Sequence, residues 1–266
     1  MKVYFFTELG SKIGLGHINR CIALADGLNK KTYDIFFVIN KSYNLLVRRK
    51  YKFIETQWLN SRFDKYSKES IAIIDSYNAS DDLFRSFSAH FNYPVYLIDS
   101  KYSFYPKGIV FFPSIYSDNR KLNSSDFVLI KGKKYLLFRK EFWQLPKYIV
   151  KSKITKIGIS IGSYIDRNII KKIIKKISQL KKIEVVIFGN MDFVEKSSEN
   201  VIFSGHLSTK EYIDELQTLD ILLTNGGQTI NESILIGIPT IGIKISDNQK
   251  DNLKYWTSIG LVKNIN

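Results

Sequence analysis

Short apolar segments alternate with helical patterns from one end of this chain to the other. The segments that we predict as strands are KVYFFT, DIFFVI, IAIID, VYLID, IVFF, KIGISI, IEVVIF, DILLTN and PTIGIKI. They are apolar at nearly every position, and the stretches between them carry apolar residues at helical spacing. Strands of this kind are typical of parallel sheets that helices cover on both faces. The sequence therefore predicts an α/β protein.

The predicted strands fall into two series. A Leu-Pro-Lys sequence and a stretch containing Lys and Ser separate them near residues 146–153. The chain has 266 residues, which suits two domains of roughly 100–150 residues each. We therefore predict two Rossmann-like, doubly wound parallel-sheet domains, residues 1–148 and 149–266, that face each other across a cleft. Ligands of such sheets bind at the carboxyl ends of strands, so the loops after strands should carry the functional residues.

Composition narrows the class of protein. A single Cys cannot form an internal disulfide, and no Cys/His cluster suggests a metal site, which fits a reducing cytoplasm. The sequence does not open on a secretory signal and has no uninterrupted apolar run of the ~20 residues that span a bilayer. The net charge of +15 favours phosphate-bearing ligands, but no DNA- or RNA-binding motif accompanies it. We expect a cytoplasmic protein with no nucleic-acid partner and no obligate protein partner.

A glycine-rich turn follows the first predicted strand and ends in Gly14-Leu-Gly16-His17. Glycine lets a ligand approach the backbone closely, and the helix that begins here presents free N–H groups. An imidazole at this place can serve as a general base or acid near neutral pH. Alternatively, His17 caps the helix or bonds a backbone carbonyl. We predict that His17 is catalytic and that Gly14, Gly16 and Arg20 contact the substrate.

A second glycine turn follows the strand DILLTN and leads into another predicted helix. The bare amides of Gly226 and Gly227 can hold phosphate oxygens, and Glu232 can accept hydrogen bonds from both hydroxyls of a ribose. In the alternative, Glu232 only complements the helix dipole. We predict a nucleotide-binding set of Asn225, Gly226, Gly227, Gln228 and Glu232.

Further polar residues follow predicted strands and are expected to face the cleft. Asp75 ends an apolar strand, where a carboxylate either caps the next turn or orients a reacting group. Gly162 and Ser163 form either an amide nest for a ligand or an ordinary strand-to-helix turn. We add Asp75 and Tyr77 to the catalytic candidates, and Gly162, Ser163 and Asn248 to the substrate-binding candidates.

The remaining histidines and the cysteine have simpler interpretations. His206 follows a short strand and could close over a nucleotide base, although a loop histidine with no chemical role is the favoured interpretation. His90 lies near the end of a predicted helix, where the dipole favours it. Cys21 lies in an apolar helical turn, and we expect it to be buried and inert.

Four segments together resemble one enzyme family. They are, in chain order, the run G-x-G-H-x-x-R-C from Gly14, the sequence IDSY from Ile74, the sequence YLLFRKEF at residues 135–142, and the glycine turn whose helix carries Asn-Glu. These segments are similar to those of the UDP-sugar hydrolases of pseudaminic acid biosynthesis. Members of that family hydrolyse UDP-2,4-diacetamido-2,4,6-trideoxy-β-L-altropyranose and have a GT-B-like fold. The resemblance covers nearly the whole chain.

The resemblance implies hydrolysis at the anomeric carbon without a metal or a cofactor. Water would be activated near His17, the second-domain turns would hold the diphosphate, and Glu232 would hold the ribose. The products would be UDP and a free deoxyamino sugar for nonulosonic acid synthesis. An alternative is a GT-B glycosyltransferase that uses a UDP-sugar donor in surface polysaccharide synthesis, for which a basic surface would favour peripheral membrane contact. A third is a basic nucleotide-sensing or nucleic-acid-binding protein, but phosphate contact alone does not require the imidazole.

Overall fold

Two parallel sheets organise the chain in the computed structural model. The structure describes residues 1–9, 16–28, 30–40, 51–97, 105–115, 126–161, 167–177, 179–180, 182–189, 199–205, 207–245 and 249–265. The chain divides into two compact units, Met1–Lys140 and Glu141–Asn266. The sequence predicted the division after residue 148. The predicted class of two parallel-sheet α/β domains is confirmed.

The first unit contains a described sheet of seven strands. The strands are β1 (Lys2–Thr7), β2 (Asp34–Ile39), β3 (Lys52–Glu55), β4 (Ile71–Asp75), β5 (Tyr93–Leu97), β6 (Gly108–Phe112) and β7 (Phe127–Lys131). The helices are α1 (Gly16–Asp26) and α2 (Asp81–His90), with short 3-10 turns at Trp58–Asn60, Lys133–Tyr135 and Lys140–Phe142. All neighbouring strands pair in parallel, in the order β3-β2-β1-β4-β5-β6-β7.

The second unit contains a described sheet of six parallel strands. The strands are β8 (Lys156–Ser160), β9 (Glu184–Ile187), β10 (Val201–Phe203), β11 (Ile221–Asn225), β12 (Thr240–Ile243) and β13 (Val262–Ile265). The helices are α3 (Arg167–Ile177), α4 (Thr209–Thr218), α5 (Gln228–Ile236) and α6 (Lys250–Ser258). The strand order is β10-β9-β8-β11-β12-β13. Among the described helices of both units, none is long and apolar enough to cross a membrane.

Strand β1 shows why the first sheet forms. Its successive side chains point to opposite faces, and both faces are buried. Phe5 packs into the cluster that contains Ile18 of α1, whereas Phe6 packs into the cluster that contains Phe87 of α2. A strand covered by helices on both faces needs apolar residues throughout, which is the pattern KVYFFT.

The helix ends follow local rules. Helix α2 begins where the Ser80 side chain accepts a hydrogen bond from the amide of Leu83. Helix α4 begins with a reciprocal capping box between Ser208 and Glu211. Helix α5 ends at Gly237, whose φ of 97° lies in the left-handed region that glycine adopts without strain. The first two signals fix where a connecting loop ends, and the third fixes where one begins.

The strand order reverses at the same place in each unit. β1 lies between β2 and β4, and β8 lies between β9 and β11. Open parallel sheets bind ligands at the carboxyl ends of the strands that flank such a reversal. In the first unit these ends meet at the register pair Thr7 and Asp75, and in the second at the pair Ser160 and Thr224. A ligand site is therefore expected in the loops after these four strands.

Candidate functional site

His17 and Asp75 form a buried pair in the first unit. Nδ1 of His17 lies 2.5 Å from Oδ1 of Asp75, and the two residues are 58 positions apart in the sequence. His17 is the second residue of α1 and Asp75 the last residue of β4. The two side chains are 3% and 1% exposed. The fold thus joins two residues that the sequence had marked separately as catalytic candidates.

Arg20 binds the same carboxylate. Its Nε donates to Oδ2 of Asp75 at 2.8 Å and its Nη2 donates to Oδ1 at 2.6 Å. Residues three apart on a helix share a face, so Arg20 and His17 reach Asp75 from the same side of α1. Two parallel charge-assisted bonds are the geometry that a guanidinium and a carboxylate favour. Arg20 was predicted to contact the substrate, and the structure shows its guanidinium holding Asp75.

Asp75 is ionised at neutral pH, and this sets the tautomer of His17. Burial raises the pKa of Asp75, but the charge of Arg20 and the hydrogen bonds from His17 and Arg20 outweigh it and hold the pKa below its ordinary value of 3.8. An ionised carboxylate can only accept, so Nδ1 of His17 carries the hydrogen. Nδ1 then has no lone pair for Nη2 of Arg20, which lies 3.3 Å away. In the neutral ring, Nε2 is left as the atom that can take a proton.

Tyr77 lies directly against the imidazole. Its ring meets that of His17 edge to face, with centroids 4.2 Å apart and an interplanar angle of 84°. Tyr77 follows β4 in the loop before α2, and it is 47% exposed. The three residues predicted to be catalytic, His17, Asp75 and Tyr77, are therefore adjacent in the structure.

Cys21 also contacts Asp75. The thiol is buried, as predicted, and its Sγ lies 3.6 Å from Oδ2 of Asp75. Burial raises the pKa of the Cys21 thiol well above its ordinary value, and the neighbouring carboxylate raises it further. Cys21 therefore remains a protonated donor to Asp75, a contact that the apolar pattern of α1 did not predict.

Glu8 is the functional candidate that sequence reasoning missed. It follows β1 and is fully buried. Its Oε1 accepts from the hydroxyl of Ser76 at 2.6 Å, and its Oε2 accepts from the amide of Tyr77 at 3.3 Å and from Nδ2 of Asn78 at 3.2 Å. The signal was present, because an acidic residue directly after an apolar strand is the pattern that singled out Asp75.

The glycine turn of the second unit lies between β11 and α5. Asn225 ends the strand, and its Oδ1 accepts from the amide of Gly227 at 3.4 Å. Nδ2 of Asn252 on α6 donates to the carbonyl of Gly226 at 2.7 Å. Helix α5 begins at Gln228, and its N-cap residue is Gly227, which has no side chain to make a capping hydrogen bond. The backbone amides at a helix N-terminus are suited to binding an anion.

Gly226 is required by close packing. A Cβ atom there would lie 2.7 Å from the backbone oxygen of Gln249 and 2.9 Å from Cγ of Leu253. At Gly227 the nearest contact of a Cβ atom would be the Asn225 side chain at 3.2 Å. The turn therefore packs tightly against the start of α6 at one glycine and has more room at the other.

Glu232 lies one turn into α5 and is 5% exposed. Its neighbour Asn231 is also buried and accepts from Nε1 of Trp256 at 2.8 Å. That bond fixes α5 to α6 beside the glycine turn. Ribose binding by Glu232 stays a prediction.

Several predicted positions are outside the described residues. They are Gly14, Gly162, Ser163, Asn248 and His206. His90, by contrast, is described: it is the last residue of α2, and its Nε2 donates to the carbonyl of Tyr66 at 2.8 Å. His90 therefore ties the end of α2 to the preceding loop. Within the described part of the chain, no group of three or more His, Cys, Asp or Glu residues could hold a metal ion.

Comparison with known sequences identifies a distant relative. No protein-family model matches the chain. A protein of Methanocaldococcus jannaschii described only as uncharacterized is 22% identical over 276 residues, which cover 94% of this chain and 57% of that protein. The chain thus spans little more than half the length of this relative.

Comparison with solved structures identifies the fold. The spinosyn rhamnosyltransferase SpnG, solved with thymidine diphosphate, matches with a TM-score of 0.61 at 11% identity over 99% of this chain and 86% of its own. The UDP-GlcNAc 2-epimerase of Methanocaldococcus jannaschii matches with a TM-score of 0.54 at 12% identity over 100% and 89% of the two chains. The fold is that of the GT-B glycosyltransferases, as the sequence resemblance implied. At these identities, the likeness establishes the fold alone.

Proposed function

We propose that this chain is an enzyme that cleaves a nucleotide-sugar at its anomeric carbon, with His17 as the general base. The observation that carries the proposal is the buried arrangement of His17, Asp75 and Arg20 at the reversal point of the first sheet. A carboxylate that holds one imidazole nitrogen leaves the other free to accept a proton.

In the proposed reaction, the oxygen of a water molecule attacks the anomeric carbon. The bond between that carbon and the phosphate oxygen breaks, and the nucleoside diphosphate leaves with the bonding electrons. Nε2 of His17 takes the proton of the attacking water. Asp75 stabilises the imidazolium that results, and Arg20 keeps the carboxylate in place.

The second unit would bind the diphosphate. The amide of Gly226, the amide of Gly227 in exchange for its 3.4 Å bond to Oδ1 of Asn225, and the N-terminus of α5 would supply donors and a positive helix end. Glu232 would accept the ribose hydroxyls. SpnG, which shares the fold, was solved with thymidine diphosphate, and this supports a nucleoside diphosphate as part of the ligand. Backbone donors of this kind can stabilise a leaving diphosphate without a divalent metal.

The substrate that we propose is a UDP-linked deoxyamino sugar, and the products are UDP and the free sugar for nonulosonic acid synthesis. The support for this is the set of four sequence segments that resemble the UDP-sugar hydrolases of pseudaminic acid biosynthesis. Three of the segments contain or adjoin residues of the site: His17, Asp75 with Tyr77, and the turn before Glu232.

Sugar transfer is the second candidate. It is favoured by the fold, since SpnG and another matching structure, SsfS6 of Streptomyces sp. SF2575, are named as transferases. The chemistry at His17 would be the same, because a base that deprotonates water can deprotonate the hydroxyl of an acceptor. The two candidates differ only in which oxygen reaches the anomeric carbon.

A panel of UDP-sugars tests the proposal, with UDP release measured in the presence and absence of candidate acceptors. Release that does not depend on an acceptor supports hydrolysis, and release that requires one supports transfer. Each measurement is repeated with the His17→Asn variant, for which we expect loss of activity. It is also repeated with the wild type in excess EDTA, where we expect unchanged activity. Release at the same rate by His17→Asn would exclude the proposed base, and activity that EDTA abolished and magnesium restored would exclude phosphate binding by amides alone.

A further inference from the structure

We propose that Glu8 is a positioning residue for His17 and that it acts through Tyr77. The inference rests on the proposed function, because the base that it positions is His17. Glu8 has no contact with His17 among the described hydrogen bonds. Instead, it binds three donors in the loop between β4 and α2, and one of the residues that it binds, Tyr77, places its ring against the imidazole.

The hydrogen bonds around Ser76 require a carboxylate at position 8. Oγ of Ser76 accepts from the amide of Asn78 at 3.0 Å and from the amide of Ala79 at 2.9 Å. A hydroxyl oxygen has two lone pairs, and these two amides occupy both. The only further hydrogen bond that the hydroxyl can make uses its own hydrogen, which it donates to Oε1 of Glu8. Oε2 faces two further donors. Both oxygens of Glu8 must therefore be acceptors, which a carboxylate allows and an amide does not.

The loop held in this way controls one side of the imidazole. Asp75 fixes Nδ1 of His17, and the Tyr77 ring meets the imidazole edge to face at a centroid distance of 4.2 Å. The amide of Tyr77 itself donates to Glu8, so the backbone that carries the ring is anchored at the same residue. Releasing Glu8 frees the loop, and the ring then no longer restricts the tilt of the imidazole about its bond to Asp75.

Glu8→Gln isolates this effect, since it keeps the size of the side chain and removes one acceptor. The new amide group faces either the hydroxyl of Ser76, whose lone pairs are both used, or the donors of Tyr77 and Asn78. In both orientations it meets a group that cannot accept its hydrogens, so at least one hydrogen bond of the wild type is lost. We expect kcat to fall on the order of tenfold, because small misplacements of a reacting group cost up to about 10² in rate. UDP affinity should not change. Glu69→Gln is the matched control, because Glu69 is an exposed carboxylate that accepts from Asn92 at 2.7 Å.

The environment of His17 can be measured directly by NMR, without activity. The chain has three histidines, so the ring resonances of His17 are identified by their loss in His17→Asn. Tyr77→Leu removes the neighbouring ring and defines the shift that its absence causes. We expect the His17 ring resonances of Glu8→Gln to move from the wild-type positions toward those of Tyr77→Leu, while Glu69→Gln leaves them in place.

The outcomes separate this inference from the proposed function. Unmoved His17 resonances in a folded Glu8→Gln protein would overturn the positioning role, whatever the enzyme does. Moved resonances in a protein that releases no UDP from any sugar would uphold the coupling and remove the assigned reaction. If Glu8→Gln does not fold, Ser76→Ala and Asn78→Ala each remove one bond to Glu8. Movement of the His17 resonances in those variants supports the inference, and unchanged spectra in both contradict it.

Discussion

Arg20 and Asp75 are joined by two hydrogen bonds, from Nε to Oδ2 at 2.8 Å and from Nη2 to Oδ1 at 2.6 Å. The carboxylate is almost completely buried, and the guanidinium is 16% exposed. The positive charge therefore compensates a negative charge that water does not reach. This pair allows an ionised Asp75 to lie beneath His17.

Removal of the Arg20 side chain should lower the stability of the folded protein. In Arg20→Ala the buried carboxylate loses both bonds, and breaking a buried ion pair typically costs about 3–5 kcal/mol. We expect the free energy of unfolding to fall by about 3 kcal/mol in urea titrations. Arg62→Ala changes an exposed arginine of the same unit and should have little effect. Equal stabilities of the two variants would show that the pair contributes little.

The same pair predicts how stability depends on pH. The folded-state pKa of Asp75 lies below its ordinary value of 3.8, so the stability that its ionised form contributes is fully present above that value. It is lost as the pH falls through the lower folded-state pKa. The difference in unfolding free energy between the wild type and Asp75→Asn should be constant above about pH 5 and shrink below 3.8. Urea unfolding at a series of pH values measures it, and a difference independent of pH would refute the assignment.

His17 should serve the chemical step and not nucleotide binding. General acid–base catalysis is worth ~10²–10⁴ in rate, so His17→Asn should lower kcat by about that factor. UDP affinity, measured by calorimetry, should stay near the wild-type value. His90→Asn is the control, because His90 bonds the carbonyl of Tyr66. A loss of UDP affinity in His17→Asn equal to its loss of rate would make His17 a binding residue.

Glu232 should determine nucleotide affinity. Losing hydrogen bonds to a charged group costs about 1–3 kcal/mol, so Glu232→Ala should weaken UDP binding by that amount. Leu235→Ala, on an exposed position of the same helix, should bind UDP as the wild type does. Calorimetry on both folded variants makes the comparison. Unchanged affinity in Glu232→Ala would remove this residue from the site.

The two adjacent glycines of the second-unit turn should differ in their tolerance of alanine. At Gly226 the added Cβ would collide with backbone at 2.7 Å, whereas at Gly227 it would meet a side chain at 3.2 Å. Overpacking typically costs about 1–3 kcal/mol, and we expect that loss for Gly226→Ala only. Thermal unfolding of both variants provides the measurement. Equal melting temperatures would contradict the packing described for this turn.

The interior strands could be predicted from the sequence, and several edge strands could not. Strands β3, β7 and β13 have no counterpart among the predicted segments, and each lies at the edge of its sheet. Their burial patterns alternate or stay intermediate, because an edge strand is less completely covered. The sequences KFIE of β3 and VKNI of β13 therefore lack the continuous apolar run that identified the central strands. Strand β7, with the sequence FVLIK, does have such a run, and the prediction missed it.

The sequence predicted four members of the first-unit site, His17, Arg20, Asp75 and Tyr77, but it missed Glu8 and did not predict the contacts. Asp75 was predicted as a candidate because it is a carboxylate at the end of an apolar strand. The sequence left open whether it capped a turn or oriented a reacting group. The answer depends on β1 and β4 being neighbours, which is a property of the strand order. Arg20 was predicted to contact the substrate, and its bonds to Asp75 could not be read from the sequence because they too depend on how α1 packs beside β4.

The two sheets share one strand plan, in which the fourth strand of each unit lies against the first. Asp75 and Asn225 end equivalent strands, β4 and β11, and so occupy counterpart positions. One carries a carboxylate that holds an imidazole, and the other an amide that opens a glycine turn. Because the two residues lie in different units, a recombination event in the gene between the segments that encode the units would replace one of the two strand ends and leave the other unchanged. The architecture thus permits the residues around His17 and those around Gly227 to diversify separately among descendants.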